Sequence, residues 1–270
     1  MALNSVKEAD VFKLYERIAD RILPKEKRIF TSKLVCWLSI LQRLNNSSLR
    51  GVSECLHHSE IKELFGRCKR SLSKDYVPSR NSAALSKAKS NLCAEMLSCL
   101  LEGLYQELSP YRKLWHDREV LAIDGTTLSL YPSSELHRKY PVARNQHGKA
   151  ALPKLFVLVL HDLQTGMALP PPSGAMFGED ATSESRLANA TFKQLKAGKV
   201  IVGDSNFGIF SVAYHASQAG HDTLLRLTES RAKRMCQGVL PTCDTKICWT
   251  PSPDDRKKNP DIAREASVEG

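Results

Sequence analysis

The stretch EVLAIDGTTLSLYP, Glu119 to Pro132, sets a short apolar run, Val120–Ile123, directly against an aspartate, a glycine and two threonines. Its alternating, partly β-branched residues predict a strand. Two readings of Asp124 follow from local chemistry. Asp-Gly between apolar runs is the strongest short hairpin signal, whereas a carboxylate at the carboxyl end of a strand stands where α/β sheets gather their ligands. The same arrangement recurs in KVIVGDSNFG, where Asp204 closes the run Val200–Val202. Adjacent strands would bring the two aspartates together. Such a pair suits a two-metal phosphodiester site: Mg²⁺ prefers oxygen ligands and keeps several waters, and two ions about 3.5–4 Å apart stabilise both the attacking and the leaving oxygen. Asp124 and Asp204 are then metal ligands and not acid–base groups.

Outward from these strands, residues 119–228 read strand, strand, strand, helix, strand, helix, strand, the order of a mixed α/β domain. The second strand is expected in ALPKLFVLVLHDLQTG, with a turn at Asp162 to Gly166, and a third in MALPPP. A helix is expected in SESRLANATFKQL with Ser183 as its N-cap, and the tail from Thr242, rich in Pro, Asp and Lys, reads as irregular. Before Glu119 the rhythm is helical. Val11, Leu14, Tyr15, Ile18 and Ile22 recur at three and four, Trp37, Leu38, Leu41 and Leu44 form a core stripe, and VPSRNSAALSKAKSNLCAEMLSCLLEGLYQEL reads as one long helix. The expected division is an all-α N-terminal domain, 1–115, followed by an α/β domain, 116–270.

Residues 1–118 hold 21 basic and 13 acidic side chains, and residues 119–270 hold 18 and 16, so the net charge of +10 sits mainly in the helical part. A solvated basic surface accounts for that asymmetry, and so does a region that meets the phosphates of double-stranded DNA. The cluster HRKYPVARNQHGKA offers Arg138, Lys139, Arg144 and Lys149 as candidate DNA contacts, alongside RCKRSLSK and a segment of helix-turn-helix length, SSLRGVSECLHHSEIKELFG. Eight scattered cysteines without a secretory signature point to reduced thiols and a cytoplasmic setting. Cys243 and Cys248 with His215 and His221 are at the loose edge of zinc spacing. No apolar run approaches the roughly 20 residues needed to cross a bilayer.

Taken in order, AIDGTTLSLY, GKAALPKLFVLVLHDLQTGMALP, GEDATSESRLANATFKQL, VIVGDSNFG and WTPSPDDRKKNPDIAREASVEG resemble the core of insertion-sequence DDE transposases, the fourth insertion-sequence family with its Tyr-Arg-Glu-Lys signature. The resemblance covers roughly residues 10–270. It implies a ribonuclease-H-like mixed sheet with flanking helices, Asp124 and Asp204 as the first two catalytic carboxylates, and Mg²⁺ or Mn²⁺ as cofactor. It further implies binding of transposon ends, release of a 3′-hydroxyl, its transfer to target DNA, a homodimer in the DNA complex, and nucleoid association. Relatives often carry Arg where this chain has Ser205. The signature is absent, since no tyrosine follows Tyr214, and Glu229, Glu265 and Glu269 are the acidic alternatives for the third carboxylate. The implied site is two-thirds complete, which leaves a non-catalytic DNA-binding remnant or inhibitor as the alternative.

Overall fold

A computed structural model describes residues 8–57, 59–62, 64–66, 82–145 and 148–270. The chain forms two compact units, Met1–Glu107 and Leu108–Gly270. The division precedes the expected 115/116 because the connecting residues belong to the second unit: Arg112 pairs there with Glu119 and Asp162.

The first unit is helical: α1 (Glu8–Ile22), α2 (Ser32–Leu44), α3 (Leu49–Glu54), a 3₁₀ turn at Cys55–His57, α4 (Ser59–Lys62), α5 (Ser82–Ser90) and α6 (Ala94–Leu108). Thr31 caps α2 by accepting from the Leu34 amide at 3.0 Å, and its hydroxyl donates to the Leu64 carbonyl at 2.8 Å. Trp37 lies under Phe12 and Tyr15, with ring centroids 5.0 and 5.1 Å away, at the centre of a core that includes Ile18, Leu34, Leu38 and Leu41. Leu44, expected in that stripe, is exposed at the helix end. Of the single long helix expected over 77–108, residues 77–81 lie outside the described residues and the rest forms two helices. Asn91 and Leu92 close α5 with short-range bonds to Ala88 and Lys89, and the Ser90 hydroxyl donates to the Lys87 carbonyl at 2.8 Å, the local competition that makes Ser and Asn poor helix interiors. The basic stretch 67–74 and His147 lie outside the described residues.

The second unit holds β1 (Val120–Ser129), α7 (Ser134–Lys139), β2 (Arg144–Asn145), β3 (Gly148–Lys149), β4 (Lys154–Asp162), β5 (Ser173–Ala175), α8 (Glu184–Phe192), β6 (Val200–Gly203), α9 (Phe210–Gln218), β7 (Asp222–Leu225), α10 (Glu229–Met235), β8 (Cys248–Trp249), α11 (Pro253–Lys258) and β9 (Val268–Glu269). Five strands form one mixed sheet, ordered β5-β4-β1-β6-β7. β4 runs antiparallel to β1, while β6 and β7 run parallel to it in turn. Alternate residues Leu121 and Ile123 of β1, with Leu158 and Leu160 of β4 and Ile201 of β6, are buried against a layer that includes Phe192 of α8 and Val212 of α9.

Two expectations change here. MALPPP forms no strand: it meets β4 through the isolated bridge Ala168 to His161 and backbone bonds such as that from the Leu158 amide to the Pro172 carbonyl at 3.0 Å, and the edge strand is Ser173–Ala175. Consecutive prolines lack the amide donors a ladder needs. The tail is ordered: β8 pairs with β9, and α11 opens with a capping box in which the Ser252 side chain and the Asp255 carboxylate satisfy each other's backbone amides. Among the described residues, no helix is long and apolar enough to cross a membrane.

Candidate active site

β1 overturns the hairpin reading of Asp124-Gly125. The strand runs straight through both residues to Ser129, paired with β4 along the way, Asp124 opposite Val159 and Gly125 opposite Leu158. On its other side the ladder with β6 ends at the pair Ile123–Gly203. Asp124 and Asp204 are therefore the next positions on two neighbouring parallel strands, whose spacing in a sheet is about 4.8 Å. Both are exposed at that carboxyl edge.

The segment after Asp204 is tightly tied. Its carboxylate accepts from the Asn206 amide at 2.9 Å and its carbonyl accepts from the Phe207 and Gly208 amides at 3.1 Å. From α10, Arg231 donates to the carbonyls of Ser205 at 2.7 Å and Gly208 at 3.1 Å. A side chain at Gly208 would put its Cβ 2.2 Å from the Arg226 carbonyl oxygen, so the loop closes against β7 only with glycine there. Ser205 thus takes part through its backbone, and Arg231 braces the loop that follows Asp204.

A third carboxylate reaches this edge from α8. Ser183 caps the helix by accepting from the Arg186 amide, which makes Glu184 its first residue. A Cβ built on Gly125 would lie 2.2 Å from Glu184 Oε1 and 2.5 Å from its Cγ. Gly125 is explained by that close approach and not by a turn. Burial raises the Glu184 carboxyl above its ordinary pKa, and the negative charges of Asp204 and Asp124 raise it further. A helix N-terminus favours the charged form, so the two aspartates and the loss of water outweigh the dipole.

Among the described residues no Lys, Arg or His forms an ion pair with Asp124, Asp204 or Glu184. The donor set is all carboxylate oxygen, which suits a hard cation such as Mg²⁺ or Mn²⁺. No three His, Cys, Asp or Glu side chains among the described residues enclose a single ion. That arrangement still matches the way Mg²⁺ binds, through one or two carboxylates with water and phosphate oxygens completing the shell.

The other residues singled out by sequence are dispersed. Arg138 and Lys139 end α7 and are exposed, with Lys139 Nζ 5.6 Å from the centre of the Tyr140 ring. Arg144 and Lys149 are backbone register partners in the β2–β3 ribbon. Glu229 opens α10 and pairs with Lys233 at 2.6 Å, and Glu269 lies in β9. His221 is committed to the fold: its Nδ1 accepts from the Lys199 amide at 3.4 Å and its Nε2 faces the Phe192 carbonyl at 3.1 Å. His215 lies 3.4 Å from Asp261. Glu184 and Arg231 were missed by sequence reasoning. The usable signal for Glu184 was a glycine beside a strand carboxylate without a turn to require it. No protein-family model and no curated protein matches the chain.

Proposed function

We propose that this chain is the catalytic region of an insertion-sequence DDE transposase, with a ribonuclease-H-like sheet that binds transposon ends, cleaves a phosphodiester and transfers the freed 3′-hydroxyl to target DNA. The observation that carries this reading is the meeting of Asp124 and Asp204 at the shared edge of β1 and β6, with Glu184 beside them and no described cation in ion-pair contact. The strand order, with the central strand antiparallel to one neighbour and parallel to the other, supports the same reading.

Asp124 and Asp204 would hold Mg²⁺ or Mn²⁺, with Glu184 as a third oxygen source. When bound, the ions would activate the attacking oxygen and offset charge on the leaving one. The chain's own contribution is rigidity: strand pairing fixes Asp124, and the Arg231 brace and the amide-tied turn fix Asp204, so little reorganisation is needed at the scissile phosphate. Glu184 replaces none of the family's downstream helix. It lies upstream of the second aspartate, and it would serve as a further oxygen source beside the pair. The implied partners are double-stranded DNA and a second copy of the chain on the DNA, in the bacterial cytoplasm.

A second reading, DNA binding without cleavage, is favoured by the failure of three ligands to enclose one ion among the described residues. Nicking of a supercoiled plasmid carrying the element's terminal repeats, with Mg²⁺ or Mn²⁺, separates the two. The transposase reading expects wild-type nicking, none by Asp204→Ala, and DNA retention by both. Equal nicking by both proteins would sink the site assignment, and retention without nicking by either is the outcome of the second reading.

A further inference from the structure

Next to the carboxylates the second unit has a cleft of about 930 Å³ that the catalytic reading leaves without a role. It begins at Ser183 and Ser185, the residues on either side of Glu184, and extends between α8, α10, α11 and the β8 strand. Five basic side chains line it, from three separate helices: Arg186 of α8, Arg231 and Arg234 of α10, and Lys257 and Lys258 of α11. Arg231 and Arg234 are three apart, on one helical face. The one acid in the lining, Asp255, spends its carboxylate on the Ser252 amide and hydroxyl at 2.9 and 2.6 Å.

Lysines in the last turn of a helix complement its dipole, and this alone accounts for Lys257 and Lys258. It does not account for Arg186, two residues into α8, or for the convergence of α10 on the same cleft. Arg231 is occupied as the brace of the Asp204 loop. Arg186, Arg234, Lys257 and Lys258 are exposed, and none forms an ion pair among the described residues.

We propose that this cleft is the track for a nucleic-acid phosphodiester backbone leading to the carboxylate edge. The inference rests on the catalytic reading for its direction but not for its test. Cations spread over three helices match a ligand with charge repeated along its length, since each strand of DNA carries a phosphate about every 3.4 Å. A compact anion would need them gathered at one point. Because Ser183 and Ser185, the chain neighbours of Glu184, line the cleft, a backbone lying along it would pass the start of α8 that carries Glu184.

Fluorescence anisotropy of labelled single-stranded and duplex oligonucleotides, titrated with the full chain in EDTA over a salt series, tests this without any metal chemistry. The variant Arg234→Ala/Lys257→Ala/Lys258→Ala changes exposed positions only, and Arg234→Lys/Lys257→Arg/Lys258→Arg keeps the charge. The alanine variant should bind more weakly whatever the base sequence, and its log K against log salt slope should fall by about 2–3, at about 0.7 per phosphate for a single strand and 0.9 for a duplex. The charge-keeping variant should match the wild type. Loss confined to one oligonucleotide form supports the proposal and identifies the form the cleft takes. An unchanged affinity and slope on both forms overturns it, as does equal loss in the charge-keeping variant. Failure of the catalytic reading appears elsewhere, as nicking that survives Asp204→Ala.

Discussion

Two places along β1, its Val120 end and Asp124, treat charge in opposite ways. At the Val120 end, Arg112 joins Glu119 and Asp162, and Lys199 joins Glu119, giving two cations and two anions in mutual contact. Asp162 is fully buried and also accepts from the amides of Gln164 and Thr165 at 2.9 and 3.3 Å. Gln164 continues the lattice, accepting from the Val120 amide and donating to the Arg118 carbonyl, both at 3.1 Å. At Asp124, midway along the strand where the ladder with β6 has ended, the charges of Asp124 and Asp204 act on Glu184 with no cation among the described residues ion-paired to any of the three. A buried ion pair whose members satisfy one another fixes register. Like charges left to repel have no stabilising role in the fold, and a cation or a cationic ligand is what would offset them.

The sharpest way to break the contrast is to remove one member from each of the two places. Arg112→Met leaves the Asp162 carboxylate buried without its guanidinium and should destabilise the second unit by about 3–5 kcal/mol. Asp204→Asn keeps an acceptor for the Asn206 amide in an exposed turn and should change stability by less than about 0.5 kcal/mol. Urea titrations read by hydrogen exchange of the β1 and β4 amides report on this unit alone. Comparable losses in the two variants would show that the two places do not differ in kind.

Acid should sharpen the comparison from the structural side. Burial raises the Asp162 pKa, but its bonds to Arg112, Gln164 and Thr165 outweigh this and leave it below the usual carboxylate value. Its contribution is thus complete above the unfolded value, near 4, and is lost as pH falls through the folded pKa. Burial holds His215 and His221 below the ordinary histidine value. They stay neutral in the fold while the unfolded chain takes up protons, so their loss begins higher, near pH 6.5. Urea midpoints should therefore fall in two stages on acidification, and Asp162→Asn should show a lower curve that lacks the second stage. A single stage in the wild type would remove Asp162 from the account.

Much of this was legible along the chain, and the rest failed for identifiable reasons. The runs Val120–Ile123 and Val200–Val202 announced the strands, and Ser183 announced α8, because period and capping are local properties. Asp124 and Asp204 were singled out because each follows such a run. Glu184 was read only as part of a helix start, since its approach to Gly125 depends on how α8 packs on the sheet. The ordered tail was hidden by composition: Ser252-Pro253-Asp254-Asp255 is a helix start in its own right, with cap, proline and acid in sequence, set in a segment that looks like a linker. Asp124-Gly125 misled in the opposite direction. A strong local turn preference gave way to ladder bonds on the β4 side and to a side chain that needs the glycine's missing Cβ.

That last point yields the finest test. In most strands Gly→Ala stabilises by about 0.4–1 kcal/mol, chiefly by restricting the unfolded chain. At position 125 the new methyl meets Glu184 Oε1, Cγ and Cδ, so Gly125→Ala must displace the glutamate from the two aspartates, and the gain should vanish or reverse. In a Glu184→Ala background the space is open and the ordinary gain should return. A double-mutant cycle isolates the coupling, expected between about 0.5 and 1.5 kcal/mol, from the effect of either change alone. If Gly125→Ala stabilises equally in both backgrounds, Glu184 does not occupy the glycine's open side. The third carboxylate would then lose its place at the site, while Asp124, fixed by strand pairing, and Asp204, fixed by its turn and the Arg231 brace, would keep theirs.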